Sequence, residues 1–233
     1  MISPLVRGHL LLFERRSEPG LPVRAGGLLL VAAALLELLR LALTRWLLGP
    51  VPLLAITALL LGAALVAPRL AGRRLSDLGL LPWRAWSLTE KAYLVQVVLL
   101  ANVVFAVVLA TPLSARLAAR GIPGTLVGLF LPYLLFGFYQ ELVYRGMVQL
   151  PLVHRLGATA GILVANLLYT FGPLHAGYFS ASASFAVPMF AAIFAMGLFF
   201  GILFRRSGNL WLPAVFHALG NAWVITAMGD RVR

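Results

Sequence analysis

Residues 124–150 of the chain read GTLVGLFLPYLLFGFYQELVYRGMVQL. This stretch is long and apolar enough to cross a bilayer as one helix, because about 20 helical residues span the hydrocarbon core. Polar side chains interrupt its second half, among them Gln140, Glu141 and Arg145. A polar side chain in lipid is costly and normally has a partner or a function. The stretch therefore predicts a membrane-spanning helix that carries a buried polar site.

The composition extends this prediction to the whole chain. Of 233 residues, 61% are hydrophobic and only 11% are charged, whereas soluble domains average about 45–50% and about 25%. One globule of this size cannot hide so much apolar surface from water. We expect an all-α, polytopic membrane helix bundle of about seven spans, at roughly 26–48, 51–67, 92–110, 124–150, 157–171, 185–204 and 210–228.

The basic residues predict the orientation of these spans. They concentrate in the N-terminus and in the loops after the second, fourth and sixth spans, which should therefore be cytoplasmic. Arg116 and Arg120, in a short loop predicted after the third span, depart from this rule. We divide the chain into a membrane-surface N-terminus (1–24), N-terminal spans (25–123) and a C-terminal core (124–233), and expect a multi-pass protein of the cell (inner) membrane.

The net charge of +12 admits two interpretations. Nucleic-acid binding needs basic residues clustered on a polar surface, but the arginines here lie between apolar runs, where they contact lipid headgroups. We therefore expect the bilayer and no nucleic acid as a partner, and the oligomeric state stays open. The absence of cysteine excludes disulfides, thiol catalysis and thiolate metal sites.

Three separate helices carry polar clusters in the C-terminal part. Glu141 and Arg145 are four residues apart and share a helix face, as do His217 and Asn221. Gln140 lies about 100° around the helix from Glu141. If these clusters and the histidine after the fifth span face one cavity, they supply groups that activate water and donors that steady an oxyanion.

Each cluster also has a structural interpretation. Glu141–Arg145 alone is typical of a buried ion pair, and a lone histidine or asparagine in a span often bonds a neighbouring helix. We assign the pair Glu37 and Arg40, in the first span, to structure or to the lipid interface.

The combination of the clusters resembles the CPBP family, the CAAX-protease and bacteriocin-processing intramembrane peptidases. Its three motifs are matched by Gln140-Glu-Leu-Val-Tyr-Arg145-Gly146, Phe171-Gly-Pro-Leu-His175 and His217-Ala-Leu-Gly-Asn221. The resemblance covers roughly residues 126–224.

The resemblance implies an intramembrane endopeptidase that cleaves near the C-terminal or transmembrane tail of a membrane-associated protein or peptide. In that family, the residues at positions 140 and 175 are thought to activate water, and those at 217 and 221 to stabilise the oxyanion. Arg145 would hold Glu141 and shape the site, and Phe171 belongs to the second motif as structural support.

Gln140 departs from the family, which has glutamate there. An amide cannot act as a general base near neutral pH. Three explanations are open: a natural pseudo-enzyme, a role taken over by Glu141, or a Glu-to-Gln variant of an active enzyme. We favour the third, because every other element of the motifs is intact. The main alternative function is a non-catalytic scaffold that binds a partner helix; a transporter ranks last, because no repeat is present.

Two further questions concern the histidines. Together with a carboxylate, the two histidines could supply the protein ligands of a zinc ion. No His-Glu-x-x-His stretch is present, so we expect no cofactor and keep zinc as the alternative. At about 1.5 Å per residue, His217 lies about 10 Å and His175 about 27 Å from the cytoplasmic ends of their helices. Straight, aligned helices would keep them apart.

Overall fold

The computed structural model describes residues 20–46, 52–173, 175 and 183–228. Within these ranges every regular element is helical and no strand is present, so the predicted all-α fold is confirmed. Most of the predicted surface segment 1–24, namely residues 1–19, lies outside the described residues.

We number the α-helices in chain order. They are α1 Val23–Trp46, α2 Leu53–Leu70, α3 Leu88–Val108, α4 Ala110–Thr125, α5 Leu131–Glu141, α6 Leu150–Leu156, α7 Ala158–Phe171, α8 Ala183–Ser207 and α9 Trp211–Met228. Two 3-10 turns, Leu75–Leu78 and Trp83–Ala85, lie between α2 and α3. Two π-helical segments, Leu126–Phe130 and Leu142–Gln149, join α4 to α5 and α5 to α6.

In the described part of the chain, five helical stretches are long and apolar enough to cross a membrane: Val23–Thr44, Leu53–Leu70, Leu88–Val108, Ala110–Leu156 and Ala186–Ser207. Helix α7 is apolar but shorter, about 21 Å at 1.5 Å per residue, against a hydrocarbon core of about 30 Å. Helix α9 is not among the five, and it carries the polar residues His217 and Asn221. The chain is thus a multi-pass membrane protein; the count of seven and the cytoplasmic N-terminus stay predictions.

The predicted loop around Arg116 and Arg120 is wrong. These residues lie in α4, and the chain turns only at Gly121, whose φ of 68° and ψ of 170° interrupt the helix. The expected end of the fourth span at residue 150 is also wrong, since the helix continues through Pro151 to Leu156. The wide π turn that precedes Pro151 provides a physical reason, because a local change of helical pitch accommodates the missing backbone N–H.

Helix α5 lies at the centre of the bundle. Helix α2 packs on one side of it, and α1 packs on α2 and on the π-helical segment Leu142–Gln149. Leu29, Leu60 and Leu142 are almost fully buried in the main apolar core. Helix α9 packs closely on α5, because Gly137 has no side chain: a Cβ there would lie 2.6 Å from the Cα of Ala218. This close approach sets the distance between the polar clusters of α5 and α9.

The entry into α9 is held by a buried polar turn. Ser87 and Glu90 form a capping box at the start of α3, and the Glu90 carboxylate also accepts a hydrogen bond from Asn209 Nδ2 at 3.2 Å. The backbone N–H of Leu210 donates to the Gly79 carbonyl at 2.8 Å. These bonds anchor the start of α9 to the segment before α3 and so position the polar residues further along α9.

Candidate active site

Two hydrogen bonds join α5 and α9 side by side. His217 Nδ1 lies 2.7 Å from Glu141 Oε1, and Asn221 Nδ2 donates to Gln140 Oε1 at 2.8 Å. Gln140 and Glu141, which are adjacent on α5, thus bond Asn221 and His217, which are four residues apart on α9. The polar clusters that the sequence places on these two helices are therefore brought together.

Glu141 bonds two partners. Its Oε2 accepts from Arg145 Nε at 3.3 Å, and both side chains are fully buried. The Arg145 guanidinium also lies over the Tyr169 ring, 5.1 Å from the ring centroid, a cation–π arrangement. Within the described residues, its Nη1 and Nη2 have no hydrogen-bond partner. The ion pair expected from the spacing of Glu141 and Arg145 is present, and it also orients the imidazole of His217.

His175 reaches the site by turning back along α7. Its backbone N–H donates to the Gly172 carbonyl at 3.2 Å, and its ring Nδ1 lies 2.9 Å from the Tyr169 carbonyl oxygen. The imidazole therefore packs against the last turn of α7 instead of continuing outward. Because α7 is short and the chain turns back after it, His175 and His217 reach the same cavity. Straight, aligned helices would have kept them at different depths.

Tyr169, which the sequence motifs do not single out, lies between the two imidazoles. Its ring meets His175 edge-on with centroids 4.8 Å apart and His217 edge-on at 6.1 Å. Its hydroxyl lies 3.5 Å from His217 Nε2. The available signal was a phenol hydroxyl in a mostly apolar span, six residues before a motif histidine.

These side chains line one cavity of about 410 Å³. Its polar wall includes Gln140, Tyr169, His175, His217 and Asn221, and its apolar wall comes mainly from α3, α5, α8 and α9. The wall thus combines two imidazoles and two amides with mostly apolar and aromatic neighbours. Such a cavity suits an extended, largely apolar chain that meets a few polar groups.

The remaining predicted site residues lie elsewhere. Glu141 and Arg145 are fully buried behind the cavity wall. Phe171 is 61% exposed and its ring packs against Phe190 of α8 at 5.4 Å. Among the residues described, no group of three or more His, Cys, Asp or Glu side chains is placed to hold a metal ion, and the expectation of no cofactor stays a prediction.

Glu37 and Arg40 form a second, partly buried pair, on α1. Arg40 Nε donates to Glu37 Oε2 at 3.0 Å, and the Tyr139 hydroxyl donates to Glu37 Oε1 at 3.1 Å. The pair therefore ties α1 to α5, in keeping with the structural role expected for it.

The fold and this cavity define a polytopic helical membrane protein whose polar residues converge inside the bundle. Residues 122–223 match the model of a protein family described as Rce1-like, "Type II CAAX prenyl endopeptidase Rce1-like". The resemblance to the CPBP peptidases is thereby confirmed for this part of the chain, which is similar to that protease family. The comparisons with curated proteins and with solved structures gave no match.

Proposed function

We propose that this protein is an intramembrane endopeptidase that cleaves near the C-terminal or transmembrane tail of a membrane-associated protein or peptide. One observation carries the proposal. Position 140, both imidazoles and Asn221 line a single, mostly apolar cavity, and all of them lie in the segment that matches the protease family. A multi-pass arrangement in the cell (inner) membrane, with α7 and α9 inside the bilayer and the N-terminus cytoplasmic, belongs to the same proposal.

The walls of the cavity support entry of the substrate from the side. Helices α3 and α8 share an apolar cluster that includes Tyr93 and Leu203. Further along, both helices line the cavity, through Phe105 of α3 and Met189 of α8. A tail that lies in the bilayer would pass between these helices without leaving lipid.

The chemistry follows from the orientation of the donors. A water molecule gives a proton to a base at position 140 or to His175 and attacks the peptide carbonyl carbon, whose π electrons move to oxygen. Donors on α9 and its neighbours stabilise that oxyanion. When the intermediate collapses, the C–N bond breaks and the proton is transferred to the leaving nitrogen.

Gln140 lowers this activity, because an amide oxygen does not accept the proton from water. The position is otherwise suited to glutamate: Asn221 Nδ2 already donates to the side-chain oxygen of residue 140 at 2.8 Å, and a carboxylate of the same length offers the same acceptor. We therefore expect Gln140→Glu to raise peptide cleavage by about 100-fold or more, the order of magnitude of general base catalysis.

The test uses the full chain in liposomes with two internally quenched peptides. One carries a farnesylated C-terminal CAAX tail, and the other a hydrophobic transmembrane tail. Gln140→Glu should cleave at least one of them, and the matched variant Gln140→Glu/His175→Ala should not. Cleavage of neither peptide in either background would contradict the peptidase function.

The second candidate function is a scaffold that holds a partner helix without cleaving it, and Gln140 is the observation that favours it. Such a scaffold needs the cavity but not the imidazoles. A scaffold should therefore still bind the transmembrane-tail peptide after His217→Ala, whereas a peptidase should lose cleavage of that peptide.

A further inference from the structure

The hydrogen bonds of His217 restrict what this residue offers to the cavity. Its Nδ1 lies 2.7 Å from Glu141 Oε1, and that carboxylate is paired with Arg145. An ionised carboxylate only accepts hydrogen bonds, so Nδ1 carries the proton that it donates. A neutral His217 then presents a lone pair, and no N–H, at Nε2.

This geometry leaves a gap in the proposed oxyanion site. His217 can donate to an oxyanion from Nε2 only after it takes up a second proton. Asn221 already uses one Nδ2 hydrogen on Gln140 Oε1. A neutral donor that faces the same part of the cavity would complete the site without such a protonation step.

Tyr169 meets this requirement. Its hydroxyl lies 3.5 Å from His217 Nε2, and both side chains line the cavity. That separation is longer than a good O–H···N hydrogen bond, so His217 does not hold the hydroxyl through a strong bond. The phenol is a donor at neutral pH without any change of charge.

The same residue also fixes the second histidine. The Tyr169 carbonyl lies 2.9 Å from His175 Nδ1, and a carbonyl accepts only, so the proton of neutral His175 lies on Nδ1. Its Nε2 then carries the lone pair, which is the form of the imidazole that can act as a base towards water. The backbone of Tyr169 thus orients one imidazole, while its hydroxyl faces the other.

We infer that Tyr169 is a further catalytic residue, whose hydroxyl donates a hydrogen bond to the oxyanion of the tetrahedral intermediate. The inference rests on the proposed peptidase function and deepens it. The water proton goes to the base and the carbonyl π electrons go to the oxygen, which accepts from Tyr169 and from Asn221. The hydroxyl hydrogen stays on Tyr169 throughout, and it returns to His217 Nε2 when the oxyanion collapses.

The first experiment compares Gln140→Glu with Gln140→Glu/Tyr169→Phe on the two quenched peptides. Phenylalanine keeps the ring beside Arg145 and His175 and removes only the hydroxyl. We expect kcat to fall by about 100-fold, as for the loss of one oxyanion donor, with KM within about twofold. The matched control is Tyr144→Phe in the same background, since Tyr144 is equally buried and packs edge-on against Tyr169 at 5.2 Å.

The second experiment does not depend on cleavage. It measures binding of a phosphinate peptide, whose tetrahedral anion mimics the intermediate, to the Gln140 chain with and without Tyr169→Phe. We expect about a tenfold or greater loss of affinity for the phosphinate and an unchanged affinity for the matching amide peptide.

The outcomes separate the two proposals. If Gln140→Glu cleaves a peptide but Tyr169→Phe leaves kcat unchanged, or changes only KM, the role of Tyr169 is wrong and the peptidase function stands. If nothing is cleaved but phosphinate binding depends on Tyr169, the peptidase function fails and the anion-binding role stands. Phosphinate binding that ignores Tyr169, or no phosphinate binding at all, also overturns the inference.

Discussion

Two regions of the molecule contain a similar local pattern, a glutamate paired with an arginine three or four residues later. On α1 the pair is Glu37–Arg40, with Nε and Oε2 3.0 Å apart. At the end of α5 the pair is Glu141–Arg145, with the corresponding atoms 3.3 Å apart. As sequence patterns, both are typical of structural ion pairs in a membrane.

The difference between the pairs lies in the partner of the second carboxylate oxygen. Glu37 Oε1 accepts from the Tyr139 hydroxyl and so fastens one helix to another. Glu141 Oε1 faces Nδ1 of His217, an imidazole on the cavity wall. Pairs of the same two residue types therefore bond a neighbouring helix in one place and an imidazole of the cavity wall in the other, and the third residue decides which.

The largest effect is expected for the Glu141–Arg145 pair, which contacts the cavity wall through His217. Glu141→Gln leaves Arg145 buried without its counter-charge and removes the carboxylate from His217. Because an unpaired buried charge is costly, the free energy of unfolding should fall by about 3–5 kcal/mol. Peptide cleavage in the Gln140→Glu background should fall by about 100-fold or more.

Thermal unfolding in detergent and cleavage of the quenched peptides measure these two effects. The matched variant is Glu37→Gln, which should lower stability but leave kcat within about threefold, since its partners lie behind the site. Equal losses of kcat in the two variants would remove the distinction between the pairs.

A smaller effect is expected from the approach of α9 to α5. Gly137→Ala places a Cβ 2.6 Å from the Cα of Ala218, so the two helices must move apart. Overpacking of this kind costs about 1–3 kcal/mol, and cleavage should fall because His217 moves away from Glu141.

The control for this variant is Gly62→Ala on α2, where an added Cβ meets nothing within 4 Å. Alanine there should be neutral or slightly stabilising, because it favours the helix over the unfolded chain. Full activity and an unchanged unfolding temperature in Gly137→Ala would contradict the close contact.

The smallest effect concerns the structural pair. Tyr139→Phe removes the hydroxyl that donates to Glu37 and should cost about 1 kcal/mol, the net value of one hydrogen bond. The coupling can be isolated in a double-mutant cycle with Glu37→Gln. Cleavage by Gln140→Glu should stay within about twofold, and a large loss of kcat would assign the α1 pair to the active site as well.

Several elements could be predicted because they depend on neighbours along one helix. Spacing of four residues places Glu141 with Arg145 and His217 with Asn221 on shared faces, and the apolar runs predict the spanning helices. The helical region at Arg116 could not be predicted in this way, since its arginines resemble those of a loop. The passage of the helix through Pro151 depends on a π turn that no periodicity indicates.

The sequence by itself determined that this chain is a helical membrane protein and which faces of its helices carry polar groups, because hydrophobicity and helical period are local properties. Only the tertiary structure decided that His175 turns back towards Tyr169, that Gly137 brings α9 close to α5, and that Tyr169 lies between two imidazoles. These contacts join residues on different helices, and a buried polar group is satisfied by whichever partner the packing brings within reach. For that reason the partner that a polar residue finds on another helix follows from the fold and not from spacing along the chain.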